Sequence, residues 1–447
     1  MQKSHCSGYV MTTSAPKKRV LFVPDSLYWI TATIARQICR YNKWIQPIIC
    51  SPHVLQKILD SNSGSFPGEI DLIHFLTQYG TSAFKPAFYG TTPWVVTIHH
   101  IEDELMAAPA SDADAIMTVC NQWHDSLLAR GIPSEKCVKV ANGVDTELFR
   151  PVSRKRKINL RKKFGIPDQS TCVGFSGKRS SDSSKRKGIA TLVRAMQSLV
   201  GSPSIVFVII GPGWDDLVRD YSAQGGKCVY MPFLVDRSEV ADFYSVLDLY
   251  WVTSRIEGGP VPLLEAMSSG ATCISTPVGI AIDAISDKTN GFIAPFDDAD
   301  FYVTLTRQLA EMPNERRRIG QSARQMIVSR FNEMQTTQSV ARLYEIADLN
   351  FARRDDARCK TQSDMPHKSN YRGGSFHYSL CRRAMAEEHL LFFNYLMGEG
   401  ATTAAARIAL RAIAADPLSF DVWRRALSAW PKAHGLLAFG HRMLKKL

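Results

Sequence analysis

Short apolar runs rich in β-branched residues alternate along this chain with stretches whose apolar positions recur every three or four residues. "RVLFVP" (19–24) precedes a helical pattern from Ile30 to Tyr41, and "IQPIIC" (45–50) follows it. "IDLIHFL" (70–76), "WVVTIHH" (94–100), "AIMTVC" (115–120) and "CVKVANG" (137–143) continue the series, with "NQWHDSLLARG" reading as a helix between the last two. Such alternation predicts a parallel sheet covered by helices. A basic, strand-poor segment at 150–168 then intervenes. After it come "TCVGFSG" (171–177), "SIVFVIIGPG" (204–213), "CVYMPF" (228–233), "LDLYWVTS" (247–254), "ATCISTPVG" (271–279) and "GFIAPF" (291–296), again separated by helical patterns. The expected fold is therefore α/β, with two Rossmann-like domains facing a central cleft and ligands at the carboxyl ends of the strands.

The pattern divides the chain into residues 1–150, a first domain, and 151–350, a second. Residues 351–378 are polar and aperiodic and read as a linker, and 379–447 as a basic helical extension. Within that extension "ATTAAARIALRAIAADPLSFDVWRRALSAWP" reads as two helices parted by an Asp-Pro turn, resembling one tetratricopeptide-like unit.

Composition narrows the setting. The formal charge is +12, and residues 351–447 hold 16 Lys and Arg against 8 Asp and Glu. That excess suits an anionic membrane face as a peripheral contact, and equally a solvated helical tail; no nucleic-acid partner is expected. No apolar run approaches the roughly 18 residues of a membrane span, and the first is too short for a signal-peptide core. The ten cysteines are scattered without a C-x-x-C pair, as reduced core residues are. These features predict a cytoplasmic protein.

Candidate chemistry lies in "SRIEGGPVPLLEAMSSG" (254–270), where seven residues part Glu257 from Glu265 at a strand-to-helix turn. An ionised carboxylate accepts hydrogen bonds from two vicinal hydroxyls, so two of them beside a helix N-terminus suit a ligand with two diols and phosphates between. A nucleotide diphosphate sugar has that form. The plainer alternative makes Glu265 a partner of the helix dipole and Glu257 a solvated group. A second strand end, "CVGFSGKRSSDSSKRKGIATLVRAM" (172–196), carries five cations before a helix near Gly188, with Lys178, Arg179 and Lys187 at or next to the loop's ends. Cations and a helix N-terminus can cradle a diphosphate without a P-loop, although an exposed basic loop has the same composition.

Taken in order, "PWVVTIHHIEDE", "ADAIMTVCNQWHDSLLARGIPSEKCVKVANGVDTELFRP", "GFSGKRSSDSSKRKGIATLVRA", "IVFVIIGPG" and "VYMPFLVDRSEVADFYSVLDLYWVTSRIEGGPVPLLEAMSSGATCISTPVG" resemble the retaining glycosyltransferase family four, over about residues 90–345. The resemblance implies that Glu265 holds the ribose hydroxyls and Glu257 the transferred sugar. Lys187, with Lys178 or Arg179, neutralises the departing diphosphate, and Gly258, Gly259 and Val261 complete the donor-binding set. His99, or its neighbour His100, faces the sugar from the first domain. It implies a metal-independent hexosyl transfer to a glycan, lipid-linked or other acceptor, with the donor as substrate and no further cofactor, in a setting such as surface polysaccharide or lipopolysaccharide assembly. An oxygen of the leaving phosphate takes the acceptor proton. A nucleotide-sugar epimerase on the same scaffold, or a non-catalytic nucleotide-sugar-binding scaffold protein, are the competing readings.

Three departures from the family pattern stand out. Pro260 removes a backbone donor from the glutamate loop, Lys178 stands where arginine is usual, and Tyr28 and Trp29 replace, in the first βα turn, the Gly-Gly pair that many relatives use near the acceptor, the two aromatics being expected as a buried pair, with stacking on an acceptor sugar as the alternative. Asn142, Gly143 and Asp145 are expected to shape the interdomain turn, and the Asp112–Asp114 triplet to form a helix-to-strand turn instead of a metal site.

Overall fold

A computed structural model describes residues 17–234, 236–361, 378–398 and 402–415. Every apolar run singled out above forms a strand. The first domain contains β1 (Lys18–Val23), β2 (Ile45–Ile49), β3 (Leu72–Phe75), β4 (Trp94–Ile98), β5 (Ala115–Thr118) and β6 (Cys137–Lys139). The second contains β7 (Thr171–Ser176), β8 (Ile205–Ile210), β9 (Cys228–Met231), β10 (Leu249–Val252), β11 (Thr272–Ser275) and β12 (Phe292–Ile293). All pairings are parallel, in the orders β2-β1-β3-β4-β5-β6 and β12-β11-β10-β7-β8-β9. Nearly all central-strand side chains are buried, as helices on both faces require.

In the second sheet the order reverses between β7 and β10. Connections leaving these two strands diverge to opposite faces and open a crevice at their carboxyl ends. The segments that start there are 177–188, which carries the candidate cations and includes a short helix at Ser181–Arg186, and 253–260, which carries Glu257 and leads into the helix of Glu265. The fold thus brings them to one place.

The chain crosses between domains twice. On the return, Val144 N–H donates to Phe331 O (2.8 Å) and Glu333 N–H to Val144 O (3.2 Å). Beyond that junction the domain limit expected at residue 350 needs correction. Helix Val340–Thr361 packs Val340, Leu343, Tyr344 and Ala347 against Val20, Phe22, Val95 and Met117 of the first sheet. Tyr344 Oη also meets His74 Nδ1 at 2.9 Å beneath that sheet. The segment expected as a linker from residue 351 is helical to Thr361, held by Arg354, which bonds Asp114 (3.1 Å) and lies over the Tyr89 ring. Residues 362–377 lie outside the described residues.

Within the extension a further helix precedes the pair expected from the sequence. Thr402–Ala415 packs on Tyr378–Gly398, burying Leu390, Phe393 and Leu396 against Ala405, Ile408 and Ala412. Residues 416–447, with the Asp416-Pro417 pair expected as a turn and the helix expected after it, lie outside the described residues. No helix among the described residues is long and apolar enough to cross a membrane.

Candidate active site

Glu257 follows β10 in a loop that the first domain holds in place. Trp123 Nε1 donates to the Glu257 carbonyl at 2.8 Å, and Asn142 Nδ2 to Gly259 O at 3.1 Å. The side chain turns the other way. Its Oε1 accepts from Lys187 Nζ (2.5 Å) and Ser254 Oγ (2.9 Å), and its Oε2 meets Arg186 Nη1 at 3.2 Å. Burial pushes this carboxyl up, but Lys187 and Arg186 outweigh it and, with the Lys187 and Ser254 bonds, hold it below the usual carboxylate range. Glu257 is an anion matched to two cations in a site largely closed to water.

Lys187 is positioned by its neighbour. Gly188 has φ +62°, and a Cβ there would stand 1.9 Å from Thr253 O, so only glycine lets this turn press against the end of β10. Thr253 Oγ1 donates to Lys187 O (2.9 Å), closing the contact from the other side. Gly188→Ala is expected to cost roughly 1–3 kcal/mol from strain alone and to displace Lys187 from Glu257; thermal unfolding and ligand affinity measured together would show both.

Glu265 lies on helix Val261–Ser268, whose first residues follow Pro260. It is 3 % exposed and accepts from Arg237 Nη2 at 2.5 Å, while the Arg237 guanidinium sits 4.7 Å above the Phe149 ring. Burial works against the Arg237 charge, yet Glu265 more than compensates and raises its affinity for the proton. Both glutamates are near enough to Tyr250 to add to the effect of its burial, which pushes the phenol far up. The Tyr250 hydroxyl meets Ser176 Oγ at 2.6 Å, at the end of β7. Two buried acids thus converge on the crevice at the strand reversal.

The first domain supplies the opposite wall. His99, just past β4, donates from Nε2 to Leu76 O (2.9 Å), which leaves Nδ1 as an acceptor. Burial pushes its imidazole down despite that bond, so it stays neutral. Its carbonyl faces Gly258, where a Cβ would approach it to 1.9 Å. His100 carries its ring toward the cations: Nε2 meets Tyr79 Oη (2.9 Å) and Glu102 Oε1 (3.1 Å). Burial, then Arg186 and His99, depress it to about 4.

Not every expected residue joins the cluster. Glu257, Lys187 and His100 do, whereas the His99 ring turns to Leu76 O and only its carbonyl meets the glutamate loop, at Gly258. Arg179 instead binds Gly213 O (3.0 Å) and Asp216 (2.5 Å) beside β8. Lys178 lies with its Nζ 5.1 Å over the ring of Tyr395, on the extension. Val261 is buried at the start of its helix, and Gly258 and Gly259 press on His99 and Asn142, so these glycines serve domain contact. Asn142 takes the interdomain role expected of it. Arg186 and Arg237 were missed. Arg186 adjoins Lys187 in sequence, and a loop of five cations cannot say which one turns inward; Arg237 belongs to a different helix, and no spacing rule links it to Glu265. The Asp112 and Asp114 carboxylates diverge, to Lys85 and to Arg354, as a turn requires.

Residues 156–326 match the family model described as glycosyl transferases group 1. This chain carries a group 1 glycosyl transferase domain. The D-inositol 3-phosphate glycosyltransferase of Stackebrandtia nassauensis is 25% identical over 300 residues, covering 58% of this chain and 65% of that protein. An Escherichia coli protein named UDP-Gal:alpha-D-GlcNAc-diphosphoundecaprenol alpha-1,3-galactosyltransferase is 23% identical over 210 residues, covering 46% and 53%. The group 1 domain and its flanks thus span roughly half to two thirds of these relatives. Among solved structures, Anabaena HepE in complex with UDP and glucose superposes with a TM-score of 0.60 at 17% identity, over 73% of this chain and 99% of that one, which establishes the shared two-domain fold.

Proposed function

We propose that this protein is a retaining, metal-independent glycosyltransferase that moves a sugar from a nucleotide diphosphate sugar to a glycan or lipid-linked acceptor. The observation that carries the reading is the Glu257–Lys187–Arg186 cluster at the strand reversal of the second sheet, its carboxylate buried and its cations half-buried, with the His100 ring and the His99 backbone of the first domain beside it. Lys187 and Arg186 are the cations for a departing diphosphate. Glu257 and Glu265 are acceptors for hydroxyls of the transferred sugar and of the ribose. The neutral His99 offers Nδ1 to the same sugar.

In this mechanism the acceptor hydroxyl attacks the anomeric carbon as the bond to the diphosphate breaks, and its proton passes to a diphosphate oxygen. The enzyme positions both substrates and stabilises charge as it develops on the leaving group. The E. coli relative, by its name, uses a UDP-sugar and a diphosphoundecaprenol-linked acceptor and makes an α-linkage. An α-linked product from an α-linked donor is retention, and a lipid-linked acceptor fits work at the inner face of a membrane in polysaccharide assembly.

A thermal-shift screen of nucleotide diphosphate sugars tests this reading. A donor at 100 times its Kd adds about 2.7 kcal/mol of stability. Glu265→Ala should weaken that donor roughly 10- to 150-fold, because hydrogen bonds to a charged group are worth about 1.5–3 kcal/mol. Absence of a shift with every donor, or an equal shift in the variant, would remove the assignment. Product linkage by NMR and turnover in chelator decide retention and metal independence.

A further inference from the structure

The first sheet has its own reversal. β1 stands between β2 and β3, so a crevice opens at the carboxyl ends of β1 and β3, where turn 25–29 begins. Helix Tyr378–Gly398 lies over that turn. Glu388 is buried and accepts from Leu27 N–H (3.1 Å) and Ser51 Oγ (2.5 Å), while Tyr28 stacks on Phe392 at 4.2 Å with 7° between the rings. The helix pair also grips the second domain. Phe392 meets Phe233 edge-on at 5.4 Å, and Arg407 binds Asp236 (2.6 Å) and Glu239 (2.8 Å).

Between helix and turn remains a cleft of about 420 Å³, lined among others by Asp25, Trp29, His53, Glu388, Leu391 and Tyr395. Its lining is unusual for a surface recess. Trp29 is 48% exposed and Leu391 49%, while Tyr28, one residue away, is spent on packing. Asp25 Oδ1 is taken by Ser26 N–H and Thr31 Oγ1, and among the described residues nothing holds Oδ2. An indole face with carboxylate and imidazole groups at its edge matches a sugar ring, which stacks its C–H face and donates hydroxyls. An alkyl chain would leave those polar groups desolvated and unpaired.

Each wall of the cleft has one residue near a segment that carries candidate site residues. Asp25 is near enough to His99 for its charge to act on the imidazole. Tyr395 carries Lys178, from the loop after β7, over its ring. We propose that the helix pair is a working wall of the substrate site. With Trp29 and Asp25 it forms a subsite for one sugar ring of the acceptor, and Leu391 and Tyr395 determine which ring fits. This rests on the glycosyl-transfer reading above.

Saturation-transfer NMR on the full chain tests it, with methyl α-glucoside, methyl α-galactoside and methyl α-N-acetylglucosaminide as probes and n-hexanol as the alkyl control. At least one glycoside should receive saturation through its ring protons, and Trp29→Ala and Leu391→Asp should each weaken it about tenfold. Both variants alter exposed side chains, so their melting temperatures should match wild type, and UDP should stabilise them as it does the parent. If UDP stabilises the protein while no glycoside binds, or both variants bind as well as wild type, the subsite is refuted and the donor reading stands. If hexanol binds there and the glycosides do not, the subsite is likewise refuted. If glycosides bind through Trp29 and Leu391 while none of UDP, GDP, ADP and dTDP stabilises the protein, the donor reading falls and the cleft's place as an acceptor subsite falls with it.

Discussion

Replacing Lys187 with alanine is expected to lower kcat for sugar transfer roughly 10²–10³-fold, the usual cost of removing one preorganised group from a developing negative charge. Lys187 is largely buried and aimed at Glu257, so it meets the diphosphate in a site where charge interactions are strong. Lys187→Arg should recover part of the rate, because it restores charge with a different shape. The variant has a second signature. Lys187 is one of the two cations that lower the Glu257 pKa, so its loss raises that pKa and moves the acid limb of the pH–rate profile upward. A rate within threefold of wild type, with an unmoved acid limb, would show that the cluster is structural.

The second large effect is on stability in acid. His74 is fully buried, with Nδ1 against Tyr344 Oη and Nε2 against Thr97 Oγ1, both at 2.9 Å. Burial depresses it to about 3; His100 and His389 are depressed to about 4, again mainly by burial. An unfolded histidine binds its proton near pH 6.5, so between there and pH 3 to 4 the unfolded chain holds protons that the folded one refuses. Stability is therefore complete above about pH 6.5 and is lost as the pH falls through that window. His74 alone accounts for on the order of 4 kcal/mol by pH 3. Denaturant midpoints at stepped pH check the slope. His74→Phe should flatten it, and an unchanged slope would mean that another group governs acid unfolding.

The Tyr344–His74 contact also shows where sequence reading stopped. A helix after residue 333 was legible from its periodicity, but its partner sheet was not. Buried apolar positions on a helix state only that something covers them. Leu343, Tyr344 and Ala347 would pack as well on the domain just completed as on the one 200 residues earlier. The polar segment after residue 350 misled for a related reason: Arg353 and Arg354 read as linker composition until Asp114 and Tyr89 are seen to hold Arg354.

Strand number, strand limits to within a few residues and the division into two α/β domains were determined by the sequence alone. Each depends on local periodicity and on turn residues that act within a few positions. Glu257, Glu265 and Lys187 were legible too, since a chain that alternates strand and helix delivers its loops to the carboxyl ends of parallel strands. Which cations turn inward was decided only by the tertiary structure. Arg186 prevails over Arg179 because Asp216 captures the latter, and Arg237 reaches Glu265 from another helix. The placing of helix 378–398 over both domains was likewise beyond the sequence. Tyr28, Phe233 and Phe392 lie far apart along the chain, and ring packing depends on distances that no linear spacing encodes.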